Sequence, residues 1–287
     1  FSTEKIVEEP GYSRIRIAYS DGEGGAISAF LLLPKGSGPF PGVLVHHQHH
    51  GERHLGKSEI CGLVGDPLQA FGPALAMRGI AVLAPDSICF EDRRTNQKGT
   101  EAGEGESDTL QHFNEMCYRL LRGDTLMRKV LHDAALGLSI LEDHPLIDGT
   151  HLGTLGHSYG GNTVLFHAAL DTRIRFACAS GAACTYQHKL AHGTGIEMAE
   201  AIPGFIQRFD IQDLVKCVAP RAILLVSATE DKFSQDADLI VKEAKSAFES
   251  SAAGEKLEHY REEGGHALTQ SRFDYILSWI RSQSRLN

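Results

Sequence analysis

Short apolar runs alternate with helix-like segments along almost the whole chain, and this alternation is the feature that most constrains the fold. Apolar strands separated by helices are typical of a mostly parallel sheet with helices on both faces. The first two runs flank the glycine-rich turn at 21–25 and predict an antiparallel hairpin at one edge of the sheet. The predicted strands are 13–19, 26–33, 43–47, 80–84, 151–155, 176–180, 222–227 and 257–260.

Between the strands, apolar residues recur with a helical period. The predicted helices are 66–78, 128–143, 160–170, 236–248 and 270–280. Two stretches, 91–123 and 182–213, fit neither pattern, and long loops in compact proteins usually carry function. We therefore expect a single domain over residues 1–287, with these two stretches as lid-like insertions that cover an active site.

The most informative local motif is G-x-S-x-G, which spans Gly156 to Gly160 around Ser158. It follows a predicted strand directly and precedes a predicted helix, which is the context of a nucleophile elbow. Glycines two residues before and after the serine avoid collisions in the tight turn. The motif predicts that Ser158 is a nucleophile at the N-terminus of a helix.

A serine nucleophile needs a base, and the base needs a carboxylate that orients it. In this architecture the acid and then the histidine follow the serine, each on a loop after a later strand. Asp231 follows the strand at 222–227, and His266 follows the last strand. Neighbouring Glu230 is an alternative to Asp231 for the acid. The order predicts a triad of Ser158, Asp231 and His266.

The oxyanion of an acyl-transfer reaction needs two converging N–H donors. One is expected from the residue after the nucleophile, Tyr159. The other is expected from the loop after the strand at 43–47, where the sequence His46-His47-Gln48 makes the backbone N–H of Gln48 the candidate.

With these residues in place, the sequence resembles the α/β-hydrolase superfamily, and within it the dienelactone hydrolase-like and acetyl xylan esterase-like members. The resemblance covers nearly the whole chain from about Ser13 and rests on segments 39–46 and 79–86, the elbow, Asp231 and His266. It implies an eight-stranded, mostly parallel sheet and hydrolysis through an acyl-enzyme. Dienelactone hydrolases proper use cysteine where this chain has Ser158, so their particular substrate does not transfer.

These residues lead us to expect a serine hydrolase that cleaves a carboxylic ester, which includes cyclic esters, with an amidase or peptidase on the same triad as the alternative. No cofactor and no metal are expected for this reaction. Aromatic, histidine and arginine side chains near the two insertions are candidates for the substrate pocket. They are His47, His49, Phe90, Arg93, Phe113, Tyr186 and Phe205.

Two competing motifs occur near the third predicted strand. Residues 51–58, from Gly51 to Ser58, match the phosphate-binding pattern G-x-x-x-x-G-K-[ST], but glycines and Pro67 interrupt any helix after Ser58. The histidines between His46 and His54 invite a metal site, but a zinc site needs three or four convergent ligands. The match to the phosphate-binding pattern makes a nucleotide-binding protein the alternative from another functional class. The role of the histidines stays open.

The charge balance bears on partners and location. With 28 basic and 37 acidic side chains, the net charge is −9, the wrong sign for binding nucleic acid or anionic lipid. No apolar run approaches the roughly 20 residues that span a bilayer. The six scattered cysteines favour a cytoplasmic protein, with a removed signal peptide left open. The expected partner is a small-molecule ester, and a homodimer is left open.

Overall fold

The computed structural model describes residues 1–49, 51–103 and 105–284, with the side chains of residues 105 and 106 outside that description. Its strands form one sheet in the order β1-β2-β3-β5-β4-β6-β7-β8-β9. The strands are β1 (Ser2–Glu8), β2 (Tyr12–Ser20), β3 (Ala26–Pro34), β4 (Phe40–His46), β5 (Ala81–Pro85), β6 (Ile147–His157), β7 (Ile174–Ser180), β8 (Ala222–Ala228) and β9 (Leu257–Glu262).

The sheet is antiparallel at one end and parallel through the rest. β1, β2, β3 and β5 pair antiparallel in succession, whereas β5, β4, β6, β7, β8 and β9 are all parallel neighbours. Strands β5 and β8 are buried along their whole length, as expected for strands covered on both faces. The loops that follow the parallel strands therefore meet at one edge of the sheet.

Helices cover both faces of this sheet and enclose two separate apolar clusters. One cluster packs under α4 and α5, and the other under α2 and α9. The helices are α1 (Lys57–Ile60), α2 (Phe71–Ala76), α3 (Gly105–Leu121), α4 (Leu126–Glu142), α5 (Tyr159–Leu170), α6 (Tyr186–His192), α7 (Ile211–Val218), α8 (Ala237–Ser250) and α9 (Gln270–Gln283).

The expected mostly parallel architecture is confirmed, but the count of eight strands is wrong. The additional strand, β1, pairs with β2 at the sheet edge, and nearly all of its residues are exposed. An exposed edge strand needs no apolar face, so its sequence lacks the pattern by which the buried strands were recognised. The helix expected at 66–78 is also shorter, because a 3-10 turn over Pro67–Gln69 precedes α2.

The two predicted insertions are largely helical. Residues 91–123 contain α3, and residues 182–213 contain α6 and two 3-10 turns. No helix in the described part of the chain is both long and apolar enough to cross a bilayer.

Candidate active site

Ser158 stands on a sharp turn between β6 and α5. Its backbone has φ 56° and ψ −121°, an unusual conformation for a residue other than glycine. The turn closes because its neighbours lack side chains: a Cβ on Gly156 would lie 2.3 Å from the Gly160 backbone, and one on Gly160 would lie 2.2 Å from the His46 carbonyl oxygen. This geometry presents the Ser158 hydroxyl at the N-terminus of α5.

The three residues of the predicted triad meet at the edge where the parallel strands end. His266 Nε2 lies 2.8 Å from Ser158 Oγ, and His266 Nδ1 lies 2.9 Å from Asp231 Oδ1. Because an ionised carboxylate only accepts hydrogen bonds, the Nδ1 proton faces Asp231. In the neutral ring Nε2 then carries the lone pair that faces the serine hydroxyl.

Asp231 is buried and well supplied with hydrogen bonds. Burial raises its pKa, but the hydrogen bond and charge of His266, with donors from Ser234 Oγ at 2.6 Å and the Phe233 N–H at 3.0 Å, outweigh this and lower the pKa overall. Glu230, the competing acid, is exposed to solvent. Its backbone N–H donates to the Gly264 carbonyl, which links the acid loop to the histidine loop.

A glycine after β7 makes room for the histidine. Gly181 has φ +60°, and a Cβ there would lie 2.8 Å from the His157 ring and 3.1 Å from the His266 ring. The two imidazoles lie 5.0 Å apart between centroids, and burial lowers the pKa of His157 to about 3. His157 therefore stays neutral beside the triad, with its Nδ1 bonded to Ser180 Oγ.

The two expected oxyanion donors lie on neighbouring pieces of backbone. Tyr159 is the first residue of α5, and the N–H groups of a first helical turn have no acceptor within the helix. The loop after β4 packs against the same turn, since a Cβ on Gly160 would lie 2.9 Å from the His47 carbonyl oxygen. That carbonyl shares a peptide group with the Gln48 N–H.

A cleft of about 520 Å³ opens above Ser158. Segment 182–213 supplies much of its wall, whereas segment 91–123 supplies none of the residues that line it among those described. The lining residues are His49, Gly51, Arg53, Ser158, Tyr159, Asn162, Gly181, Lys189, Gly195, Ile196, Glu197, Met198, Glu200, Phe233 and His266.

Two acid–base pairs, the first buried and the second partly exposed, form part of this wall. Lys189 Nζ lies 2.8 and 2.9 Å from the two carboxylate oxygens of Glu200. Glu197 accepts from His49 Nε2, whose Nδ1 in turn accepts the Gly51 N–H. Burial raises the pKa of Glu197, but the hydrogen bond and charge of His49, with the nearby charge of Arg53, lower it to about 2.

Of the seven pocket candidates, only His49 lines this cleft. His47 and Phe90 pack behind Tyr159, with Phe90 5.4 Å from its ring. Arg93 is held by Asp133 at 2.8 Å and lies away from the cleft. None of these three residues lines this cleft, because each packs against or bonds to protein neighbours.

The remaining candidates do not line this cleft either. Phe113 is exposed on α3, while Tyr186 donates its hydroxyl to the Glu200 carbonyl at 2.8 Å. Phe205 packs on Phe166 beside a separate surface groove. Sequence position near an insertion does not say which way a side chain points, and Phe113, Tyr186 and Phe205 do not line this cleft.

Sequence reasoning missed several wall residues. Arg53 lies inside the segment that was weighed as a phosphate loop, and Glu197 and Lys189 lie in the second insertion. The one available signal was that Lys189 and Glu197 lie in an insertion already expected to cover the site.

The phosphate-loop interpretation of residues 51–58 finds no support in the geometry. Lys57 is 1% exposed, and its ammonium is bonded to Asp86 at 2.7 Å, Glu91, and Asp92 at 2.6 Å. Ser58 Oγ donates to Glu91 at 2.6 Å, and α1 is only four residues long. Lys57 and Ser58, which would bind phosphate and magnesium in a phosphate loop, are thus both bonded within a buried ionic cluster.

Metal-ligand groupings among the described residues lie elsewhere than the histidine segment. One is Asp86, Glu91 and Asp92, between which the Lys57 ammonium sits; the other is Cys184, His188 and Asp236. His50 of the histidine segment lies outside the described residues.

The chain is similar in sequence to a protein that is named as a hydrolase. No family model matches the chain. It is 28% identical over 248 residues to the Bacillus subtilis (strain 168) protein named "Putative hydrolase YtaP", covering 84% of this chain and 78% of that protein.

Solved structures agree on the architecture. A "putative acetyl xylan esterase" from Bacteroides fragilis NCTC 9343 superposes with a TM-score of 0.73 at 17% identity, covering 91% of this chain and 69% of the other. "Methylesterase BT1017" superposes with a TM-score of 0.73 at 18% identity, and the alignment covers 98% of this chain and 56% of the other. The α/β-hydrolase fold predicted from the sequence is confirmed.

Proposed function

We propose that this protein is a serine hydrolase that cleaves carboxylic esters, cyclic esters included, through an acyl-enzyme. Ser158 is the nucleophile, His266 the general base and then acid, and Asp231 the orienting carboxylate. The observation that carries this proposal is the pair of contacts made by one imidazole, 2.8 Å to Ser158 Oγ and 2.9 Å to Asp231 Oδ1.

In the first half of the reaction, His266 Nε2 takes the proton of Ser158 as Oγ attacks the ester carbonyl. Asp231, ionised because its pKa is lowered, stabilises the imidazolium that forms. The imidazolium then gives its proton to the departing alkoxide, which leaves as the alcohol. Water repeats the attack on the acyl-enzyme with His266 again as base, and the products are the acid and the free serine.

The tetrahedral oxyanion forms beside the N-terminus of α5. In this proposal the backbone N–H groups of Tyr159 and Gln48 donate to it, and the partial positive charge of the helix end adds to their effect. The packing of the His46–His47 backbone against Gly160 supports this role, because it holds the second donor's peptide beside the elbow.

The ester bond as target is supported by the relatives. The two solved structures named above are called an acetyl xylan esterase and a methylesterase. These names share ester cleavage but refer to different esters. The comparisons therefore favour an ester over an amide as the substrate. The groups on either side of the ester bond have to be inferred from this chain's own cleft.

The test is covalent labelling with a fluorophosphonate probe, measured by intact mass and peptide mapping. We expect one adduct on Ser158 in the wild type, none in Ser158→Ala, and much slower labelling in His266→Gln. His259→Gln is the matched control, since His259 is a partly buried histidine bonded to Ser227 Oγ outside the cleft. It should label like the wild type.

Labelled enzyme should also lose its turnover of 4-nitrophenyl acetate in proportion to the adduct. A folded wild type that takes no adduct, or an adduct that maps to a different serine, would refute the assignment of Ser158.

A further inference from the structure

Arg53 is a buried cation in the wall of the cleft. It is 5% exposed and lines the same cleft as Ser158. Its Nε–H donates to His112 Nδ1 at 3.1 Å, and its guanidinium lies 5.2 Å from the centroid of the Phe90 ring. These two contacts fix the plane of the guanidinium while using only one of its five N–H groups.

The protein does not neutralise this charge by direct contact. Among the described residues, no carboxylate oxygen lies within 4.0 Å of the Arg53 guanidinium, and neither Nη1 nor Nη2 makes a hydrogen bond. The partner at Nε is itself neutral, because burial lowers the pKa of His112 to about 3. A buried arginine with a free fork is unusual, since buried charges are normally paired.

The other charged groups of the wall are already engaged. Lys189 and Glu200 pair with each other. Glu197 is close enough to Arg53 for the cation to lower its pKa, but one of its oxygens accepts from His49 and the other from the Met198 N–H. Of the cations in the described wall, Arg53 is the one whose donors are left for a ligand.

We propose that Arg53 binds a carboxylate of the substrate through its Nη1 and Nη2 donors. This inference rests on the proposed function and narrows it: the substrate is an ester that carries a second, ionised carboxyl group away from the scissile carbonyl. A guanidinium fork matches the two oxygens of a carboxylate in one plane, and a buried site strengthens both hydrogen bonds. Ser158 then acts on an ester group elsewhere in the same cleft.

Arg93, the arginine that the sequence analysis named as a pocket candidate, provides the contrast. Its side chain is 5% exposed, and it is held by Asp133 at 2.8 Å and Asp21 at 3.5 Å. Arg93, whose guanidinium is paired with carboxylates while that of Arg53 is not, is the matched control for Arg53.

The experiment compares acid and amide partners of the same ester. One pair, 4-acetoxybenzoate and 4-acetoxybenzamide, carries the test group on the alcohol side. The other, monomethyl terephthalate and methyl 4-carbamoylbenzoate, carries it on the acyl side. In each pair the carboxylate is replaced by a neutral group of the same shape, and 4-nitrophenyl acetate reports the triad alone.

In the wild type we expect kcat/KM for the acid to exceed that for the amide by about 100-fold in at least one pair. In Arg53→Gln the ratio should fall to within about 3-fold, because kcat/KM falls much more for the acid than for the amide or for 4-nitrophenyl acetate. Arg53→Lys, which keeps the charge but lacks the fork, should retain a ratio of about 10-fold. Arg93→Gln should keep the full ratio.

Binding of 4-hydroxybenzoate, 4-hydroxybenzamide and monomethyl terephthalate to Ser158→Ala, measured by calorimetry, separates this proposal from the proposed function. If no ester is cleaved but a carboxylate binds and Arg53→Gln abolishes the binding, the anion site stands without the esterase. If 4-nitrophenyl acetate is cleaved but acids and amides react and bind alike, the proposal is overturned while the esterase stands. Equal losses for acid and amide in Arg53→Gln also overturn it, because a purely structural role predicts them.

Discussion

His47 donates its Nδ1–H to the carbonyl oxygen of Gln48 at 2.7 Å, so a buried imidazole holds the backbone of the loop that carries the second proposed oxyanion donor. The direction of this bond follows from the other nitrogen: Nε2 accepts the Ser87 N–H at 3.0 Å, which leaves the proton on Nδ1. Burial lowers the pKa of His47 to about 4, so the ring keeps this tautomer at neutral pH.

His47 is therefore expected to act as a positioning residue for the oxyanion loop. His47→Leu should lower kcat for 4-nitrophenyl acetate by about 10- to 100-fold with little change in KM. A misplaced oxyanion donor reduces the stabilisation of the transition state and leaves the binding of the substrate unchanged. His47→Asn, whose side-chain NH2 overlaps the position of Nδ1, should recover part of the loss. Equal effects on kcat and KM in both variants would indicate general damage to the cleft.

The acid of the triad can be tested at adjacent positions. Asp231→Asn should lower kcat by about 10⁴-fold, because the amide no longer holds His266 in the tautomer that accepts the serine proton. Glu230→Gln, one residue away and exposed, should leave kcat within about 2-fold of the wild type. Rates of both variants with one neutral ester make the comparison, and a large loss confined to Glu230→Gln would reverse the assignment.

Lys57 should prove to be a structural residue. Lys57→Met leaves three carboxylates around an empty position and should lower the free energy of unfolding by about 3–5 kcal/mol. Lys245→Met removes an exposed lysine paired with Glu249 and should change the free energy of unfolding by less than about 0.5 kcal/mol. Urea unfolding measures both.

The same samples test the nucleotide alternative. Magnesium-ATP should leave the melting temperature of the wild type unchanged, because the lysine and serine of the motif have no free donor for phosphate. A concentration-dependent rise in melting temperature that Lys57→Met abolishes would revive that alternative.

Buried neutral histidines should make the protein sensitive to mild acid. Burial lowers the pKa of His47 to about 4 and of His112 and His157 to about 3, against about 6.5 in the unfolded chain. Below pH 6.5 the unfolded state therefore binds more protons than the folded state. Stability should fall as the pH drops from 7 to 5, by up to about 1.4 kcal/mol per pH unit for each histidine.

Asp86 works in the opposite direction, since burial and the charge of Glu91 raise its pKa to about 7, and the net slope is smaller than the sum over the histidines. Urea unfolding at pH 7, 6 and 5 measures the slope. His157→Gln should reduce the dependence of the free energy of unfolding on pH by about the contribution of one histidine. His192→Gln, at an exposed position, should leave that dependence unchanged. A wild type equally stable at pH 5 and pH 7 would contradict the argument.

Much of the fold and of the catalytic geometry could be predicted because its signals are local. The elbow needs glycines at fixed offsets from Ser158, and buried strands must be apolar over consecutive residues. Both are therefore recognisable as patterns within a few consecutive residues. The order of strands then placed Asp231 and His266 on loops at the same edge of the sheet as Ser158. Strand β1 has no such pattern, because an exposed edge strand can have almost any polar sequence.

The wall of the cleft depended on the tertiary structure. Arg53 and Arg93 lie in loops after neighbouring strands, and the sequence analysis named only Arg93 as a pocket candidate. Whether an arginine faces a carboxylate or an open cleft depends on residues from distant parts of the chain: Asp133 on α4 for Arg93, and His112 on α3 for Arg53. The sequence by itself determined the buried strands of the sheet, the elbow and the order of the proposed catalytic residues, because short-range backbone geometry and burial dictate them. Only the tertiary structure decided which charge is left free, because pairing is a property of long-range contacts.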